Sequence, residues 1–532
     1  MRMLPIAVLA MICAFSQLAA AAETGRTKHE RSGIKPIAGT WLNLFHQDAR
    51  NEYTNPADVD MTSPALWRRK IAEMSEMGIR YLVLLAVAHE GKAMYESDFL
   101  PAAYPAGRES PVEAIMEAAD AGGMRVFMSS GWARNEDDDM SDPDTRGTQL
   151  RIMRECAERF RRHPSFFGWY FPCEFRAAPW VADRDVEGVN ALAAAARALT
   201  PGAKLMISPH VNAKLIAKGY FDLKAESTYV DQLAALDVDI LAYQDGVGCA
   251  FVTQPQAKKV FGELREVHGL VPHLAIWGNV ETFTWAGKSN DRSSPLVPAA
   301  FPRVLSQMAA VSPSVDETIS FIVQGILDEP GSPMPLGEAV YSQKLAGAYE
   351  EFLAGRGRWP LLAASFTGNL LHEAVGKAVS IATRPAANLE GGDLTDGLLG
   401  AEDLACAEWL GFEETDMEAT IDLGGTSRIR TLAARFLQYA AAGILLPARV
   451  DFAVSRNGRD FEPVASITPE TWPHDRYDTW IDMAVARGLD VRGRYVRVQA
   501  VNAGRFLFVD ELFVNPRIRR MGREPAPAPR AR

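Results

Sequence analysis

The sequence predicts an α/β fold, a (β/α)8 barrel followed by an all-β sandwich, and three observations carry that reading. From residue 37 to about 355, eight short β-branched or aromatic runs alternate with amphipathic stretches about twice as long, the pattern of repeated βα units. From about residue 365, helical periodicity fades and strand-like runs are separated by Gly, Asn and Asp turns, as in a sandwich. The 532-residue length also exceeds one ordinary domain, although a barrel alone absorbs about 250 residues.

The chain opens on "MRMLPIAVLAMICAFSQLAAAAETG", with Arg2, an apolar stretch from about Leu4 to Leu18 and an Ala20-x-Ala22 pattern. This is the reading for a cleaved secretory signal over residues 1–22, and it implies export to the periplasm or the medium. The apolar stretch is shorter than the roughly 20 residues that a membrane span needs, so no membrane-spanning segment is expected.

The barrel is assigned to residues 23–358. Its strand candidates are "IAGTWLNLF" (37–45), "IRYLVLLAVA" (79–88), "MRVFMSSGW" (124–132), "SFFGWYFP" (165–172), "KLMISPH" (204–210), "DILAYQDG" (239–246), "HLAIWGNVE" (273–281) and "TISFIVQGI" (318–326). Helix patterns lie between them, among them residues 63–78, 110–123 and 148–163. The first two carry a Ser-Pro start and a Gly stop. A helix after each of eight strands suits a closed barrel, whose active site forms where strands end and βα loops begin.

A hinge is expected near "GRGRWPL" (355–361), a sandwich over 365–516, and a disordered tail over 517–532, where "REPAPAPRAR" has no apolar periodicity.

Composition narrows the function. A formal charge of −11 argues against nucleic acid, whose binding rests on clustered Lys and Arg, and favours neutral partners. Four cysteines follow the signal segment, Cys156, Cys173, Cys249 and Cys406, with no CxxC pair and no Cys/His cluster at metal spacing. Four cysteines allow three full disulfide pairings, and spacing does not choose among them.

The predicted barrel mouth gathers the candidate site. The apolar run "SFFGWYFPCEF" ends near Glu174, at the end of the fourth strand, and Glu281 takes the same place on the seventh. Two carboxyls facing one cleft can divide the cleavage of a glycosidic bond, one donating a proton to the leaving oxygen while the other attacks the anomeric carbon or activates water. Arg134 and Arg176 are the structural ion-pair alternatives for Glu174. Around the pair, Trp41, Asn43, His46, Trp132, Arg134, His210, Tyr243, Gln244, Asp245, Asn279 and Trp285 are the candidate substrate-binding residues, since aromatic faces with convergent polar groups suit pyranose recognition. The acidic stretch "NEDDDMSDPD" (135–144) lacks the EF-hand ligand order and is read as a solvated loop.

These residues resemble known families. The eight-strand region, with Glu at the ends of strands four and seven, resembles the superfamily of retaining glycoside hydrolases built on TIM barrels. More closely, "GWYFPCEF", "ILAYQDGVG" and "WGNVETF" resemble a bacterial barrel family of unknown function grouped with glycosidases. The resemblance implies Glu174 as acid/base, Glu281 as nucleophile, and Tyr243 hydrogen-bonded to the nucleophile, with no cofactor for catalysis. It departs from the superfamily at Cys173, which stands where Asn usually precedes the acid/base.

Residues 365–516 resemble a discoidin-like jelly-roll module of the coagulation factor five/eight type C kind, through "LTDG" (394–397), "WLGFEETDMEATIDLGG" (409–425), "LPARVDFAVSRNGRDFEPV" (446–464) and "VDELFV" (509–514). That similarity implies carbohydrate binding and makes Asp396 and Glu511 candidates for a structural calcium. The expectation is an exported glycoside hydrolase acting on a poly- or oligosaccharide. The alternative is a carbohydrate-binding protein whose barrel no longer cleaves.

Overall fold

The computed structural model describes residues 33–45, 59–135, 138–172, 174–287, 294, 296–334, 339–388, 393–473 and 476–519. The signal reading, His46, Cys173 and residues 520–532 of the tail lie outside the described residues.

Eight parallel strands form a closed barrel: β1 (Ile37–Leu42), β2 (Tyr81–Leu84), β3 (Arg125–Ser129), β4 (Phe166–Phe171), β5 (Lys204–Ile207), β6 (Ile240–Gln244), β7 (Ala275–Glu281) and β8 (Glu317–Phe321). Each strand pairs with its sequence neighbours and β8 closes on β1. The outer layer comprises α1 (Pro64–Glu76), α2 (Pro111–Ala121), α3 (Pro143–Phe160), α4 (Asp183–Leu199), α5 (Ala213–Ala217), α6 (Ser227–Ala234), α7 (Gln254–His268) and α8 (Phe301–Val311).

Local chemistry sets the helix ends as the Ser-Pro and Gly signals predict. The side chains of Ser63 and Ser110 accept from the backbone N–H groups of Leu66 and Glu113, which satisfies donors that the first turn leaves unpaired. Gly78 and Gly123, just past the ends of α1 and α2, take φ of +90° and +64°, a region that glycine enters without a Cβ penalty.

Helix α3 begins five residues before the expected start, because Asp142 accepts from Thr145 N at 2.9 Å and Pro143 follows it. The acidic stretch thus supplies a helix cap. Its Asp138 pairs with Arg134 at 3.1 Å.

A layer of rings fills part of the barrel. Tyr81, Phe127, Phe167 and Trp277 meet with centroids 4.9–6.4 Å apart, within the range for tilted and edge-on aromatic pairs.

The C-terminal strands are β9 (Ala378–Ile381), β10 (Leu410–Glu413), β11 (Met417–Tyr439), β12 (Arg449–Ser455), β13 (Glu462–Ile467), β14 (Thr479–Val501) and β15 (Phe506–Val514). They form an antiparallel array in the order β10-β15-β11-β14-β12-β13, with Ala387–Asn388 at the β10 edge and β9 on β11. The 23-residue strands β11 and β14 pair along most of their length with register shifts at Asp422/Ser427 and Ile429/Thr431. Such irregularities bend a ribbon. Phe412, Ile421, Phe436, Val498 and Leu507 are buried in this region's own apolar core.

The two regions share a second, larger core. Trp409, Trp480, Ile481, Phe508 and Phe513 of the sandwich belong to one apolar cluster with Phe301 and Trp359. All eleven residues of α8 are buried, as expected for a helix apolar on nearly every face. The stretch read as a hinge instead enters α9 (Trp359–Phe366), where Trp359 packs edge-on against Phe301 at 4.7 Å. A buried indole there gives the junction packing that a free hinge lacks.

Candidate active site

Alternation along β7 sends Trp277, Asn279 and Glu281 toward the barrel interior. Gly278 between them faces the helix layer, since a Cβ there would meet Val311 and Val315 at 3.2–3.5 Å. Glu281 is 4% exposed. Its Oε2 accepts from Cys249 N at 2.7 Å, and Gly248 lies so close that an added Cβ would come within 2.6 Å of Glu281 Cβ. The loop after β6 therefore covers the carboxyl that ends β7.

Asp245 stands directly behind this pair, 1% exposed. Its Oδ1 accepts from Val247 N at 3.1 Å and Glu281 N at 3.4 Å, and its Oδ2 accepts from Gln307 Nε2 at 2.8 Å. Gln307 Nε2 also donates to the backbone oxygen of Glu281 at 3.0 Å. Arg303, one turn earlier on α8, reaches the backbone oxygens of Glu281, Phe283 and Val247.

Burial disfavours the ionised form of both acids. Glu281 is pushed up to about 8, first by burial and then by the Asp245 charge, against the pull of the Cys249 N–H and of Arg303. Asp245 is raised to about 6 by burial. Two close carboxyls in such a site titrate as a pair, and near neutral pH the pair holds a proton.

Glu174 differs. Strand β4 ends at Phe171, so Glu174 lies beyond it and is exposed. Gln244 Nε2 approaches Glu174 Oε1 at 3.4 Å across the mouth. The Cys249 thiol is raised first by burial, then by Glu281, and further by Glu174 and Asp245. The thiol thus lies within electrostatic reach of all three acids.

The remaining predicted residues divide. Gln244 and Asn279 face the barrel mouth, and Asn279 Oδ1 is buried without a hydrogen-bond partner among the described residues. Tyr243 does not reach the acids. Between Ala242 and the inward Gln244, alternation turns it to the helix layer, where its hydroxyl engages His268 Nε2 at 3.0 Å. Trp41 is 1% exposed and packs edge-on against Tyr170 at 5.9 Å, so its face is not offered to a ligand. Asn43 is tied through its backbone to Gln324, at 2.9 and 3.1 Å.

Trp132 is buried and donates from Nε1 to Pro172 O at 2.9 Å, which anchors the segment leading to Glu174. Arg134 is exposed and engaged with Asp138. His210 is half-buried, with its backbone bonded to Phe175 and Ala177. Burial, with Arg176 beside it, lowers its titration. Trp285 is buried in a hairpin in which Phe283–Trp285 pairs with Leu296–Pro298, and it packs edge-on against Phe283 at 6.3 Å.

The calcium candidates Asp396 and Glu511 meet at one turn of the sandwich, where Glu511 reaches the residue that follows Asp396. Glu511 is fully buried, accepts from Gly397 N at 3.1 Å and lies 2.9 Å from His372 Nε2. Burial pushes it up to about 9, and the charges of Asp510, Asp396 and Asp393 add to that. Among the described residues no group of three or more His, Cys, Asp or Glu is gathered to hold a metal ion.

Sequence reasoning missed Arg303, Gln307 and the Gly248–Cys249 cover. The signal for the first two was present. In "FPRVLSQMAAV" they are the large polar residues of an otherwise apolar helix, spaced i,i+4 and hence on one face. Exposed aromatics were also missed: Trp180 on the loop after β4, Tyr220 after α5 and Phe251 on the loop after β6. Arg176 lies over the Trp180 ring at 6.0 Å, and Phe221 meets that ring at 6.2 Å.

The sequence profile of a family described as a domain of unknown function, DUF4434, matches residues 37–334. A search of curated proteins finds no match. Among solved structures, a candidate α-L-fucosidase from Bacteroides thetaiotaomicron is similar with a TM-score of 0.47 and 18% identity, covering 61% of this chain and 97% of its own. A family 5 glycoside hydrolase from Bacteroides vulgatus gives a TM-score of 0.37 and 10% identity over 88% of this chain and 89% of its own. A CBM32 module from Clostridium perfringens, solved with GalNAc-β-1,3-galactose, gives 0.20 and 18% over 28% of this chain and 95% of its own. Among the described residues no helix is long and apolar enough to cross a membrane.

Proposed function

The chain belongs to the DUF4434 family, a domain of unknown function, and we propose that it is an exported glycoside hydrolase acting on a neutral poly- or oligosaccharide, with Glu281 as proton donor and Glu174 as the ionised partner. This exchanges the roles implied by resemblance. The supporting observation is the inequality of two carboxyls at one barrel mouth. Glu281 is buried and raised to about 8, whereas Glu174 is exposed to solvent. Environments that separate two carboxyls in this way assign the acid and its partner.

In the proposed reaction, substrate enters over the exposed Glu174 and the loop covering Glu281 yields to it. Glu281 gives its proton to the leaving glycosidic oxygen as the bond to the anomeric carbon breaks. Glu174 then either attacks that carbon, forming a glycosyl-enzyme that water hydrolyses with retention, or takes a proton from the water that attacks with inversion. The charge of Asp245 helps to keep Glu281 protonated, and Gln307 fixes the Asp245 carboxyl and the backbone oxygen of Glu281. The exposed ring of Trp180 supports stacking on a sugar face.

The test is release of reducing sugar from a panel of neutral polysaccharides and aryl glycosides, with NMR of the first-formed anomer to read retention or inversion. A second reading, a carbohydrate-binding protein without turnover, is favoured by the 4% exposure of Glu281. Binding to the barrel with no release on any substrate supports that reading.

A further inference from the structure

We propose that Asp478, a residue of the C-terminal sandwich, is a positioning residue of the barrel's active site and acts on the Glu281 carboxyl through Arg303. The sandwich is then part of the catalytic unit as well as a module appended to it. The proposal rests on Glu281 being the proton donor.

The geometry runs in a short chain. Asp478 immediately precedes β14 and is 5% exposed. Its Oδ2 accepts from Thr284 Oγ1 at 2.6 Å, three residues past Glu281, and its Oδ1 lies 3.7 Å from Arg303 Nη1. The Arg303 side chain is 1% exposed, and its guanidinium donates to the backbone oxygens of Val247, Glu281 and Phe283. One cation therefore holds both the loop that covers Glu281 and the strand end that carries it. A buried cation is costly unless an anion faces it, and the barrel takes that anion from the other domain.

The charged and titratable groups around Glu281 come from five places: Asp245 after β6, the Cys249 thiol from the covering loop, Glu174 beyond β4, Arg303 from α8 and Asp478 before β14. Arg303 draws both buried acids toward ionisation. Removing the Asp478 charge leaves that pull uncompensated, so Glu281 must then release its proton at lower pH.

The experiment is a pH titration of the full chain carrying ¹³C-carboxyl glutamate, with the Glu281 resonance assigned by its loss in Glu281→Gln. In Asp478→Asn the midpoint is expected to fall by roughly one pH unit, the scale of removing one nearby charge at intermediate dielectric. Asp478→Glu should retain the wild-type midpoint. Gln254→Ala removes another contact of the same interface, the bond from Gln254 Nε2 to Thr479 O at 2.7 Å, without changing charge, and should leave the midpoint unmoved.

An unchanged midpoint in Asp478→Asn, or an equal fall in Gln254→Ala, overturns the proposal. Should Asp478→Asn alone not fold, Arg303→Gln combined with Asp478→Asn leaves no unpaired charge. There the midpoint is expected above wild type, and its constancy overturns the link. The titration needs no turnover, so a protein that cleaves nothing defeats the hydrolase reading separately.

Discussion

The backbone N–H of Cys249 donates to Glu281 Oε2 at 2.7 Å, so the loop leaving the sixth barrel strand is fastened to the carboxyl that ends the seventh. That contact makes Glu281 a buried acid while Glu174, on the same mouth, stays exposed. It also requires a residue without a side chain next to Cys249.

Gly248→Ala tests the cover. A Cβ at that position would lie 2.6 Å from Glu281 Cβ and 3.0 Å from Oε2, and neither backbone nor carboxyl can retreat without breaking the Cys249 contact. We expect a folded variant, with its melting temperature lowered by a few degrees and kcat reduced about tenfold or more. Steady-state kinetics beside a thermal melt checks this, and unchanged kcat would show that the loop–carboxyl contact is dispensable.

The buried acid also sets a pH dependence of stability. Glu281 is raised from 4.5 to about 8 in the fold, so the folded chain binds a proton that the unfolded chain has released between those values. Its contribution to stability is complete below pH 4.5 and is lost as pH rises through about 8. Glu281→Gln keeps the shape and does not titrate. The melting temperature of the variant relative to wild type should therefore climb between pH 5 and 8.5 in calorimetry, and a constant difference would contradict the burial argument.

Trp132→Phe removes the 2.9 Å bond to Pro172 O and keeps an aromatic ring beside His89. Pro172 then loses the anchor that steadies the segment leading to Glu174. A fall in kcat of about three- to tenfold with little change in KM is expected, since a bond to a buried carbonyl contributes about 1 kcal/mol. A change confined to KM would place Trp132 in substrate binding.

The barrel was legible because its strands and helices repeat on one scale and their ends carry Ser-Pro and Gly signals, as at Ser63 and Gly78. The place of the two acids at the barrel mouth was legible because both follow the C-terminal ends of parallel strands, which in a barrel lie on one side. Their environments were not. Phe171 ends β4 three residues before Glu174, and no local pattern shows that the chain there has left the apolar layer. The cover over Glu281 comes from Gly248 and Cys249, more than thirty positions away in sequence, and the anion facing Arg303 comes from Asp478 in the other domain. Tyr243 was misread because a one-residue change of parity moves a strand side chain from the cleft to the helix layer.

Trp180 is 46% exposed on the loop after β4, which leaves the end of a strand that carries a candidate acid. Trp180→Ala should raise KM for an oligosaccharide about three- to tenfold, the scale of one aromatic stacking contact, and leave kcat on a small aryl glycoside unchanged. Equal KM values for the long substrate would remove Trp180 from the binding surface.

The measurement that bears most directly on the assignment of roles compares two aryl glycosides, one with a good and one with a poor leaving group, in Glu281→Gln and Glu174→Gln. If Glu281 is the proton donor, Glu281→Gln loses about a hundredfold or more on the poor leaving group and little on the good one, whose departure needs no proton, while Glu174→Gln is impaired on both. The opposite pattern, with Glu174→Gln rescued by the good leaving group and Glu281→Gln inactive on both, would restore the roles implied by resemblance and contradict the account.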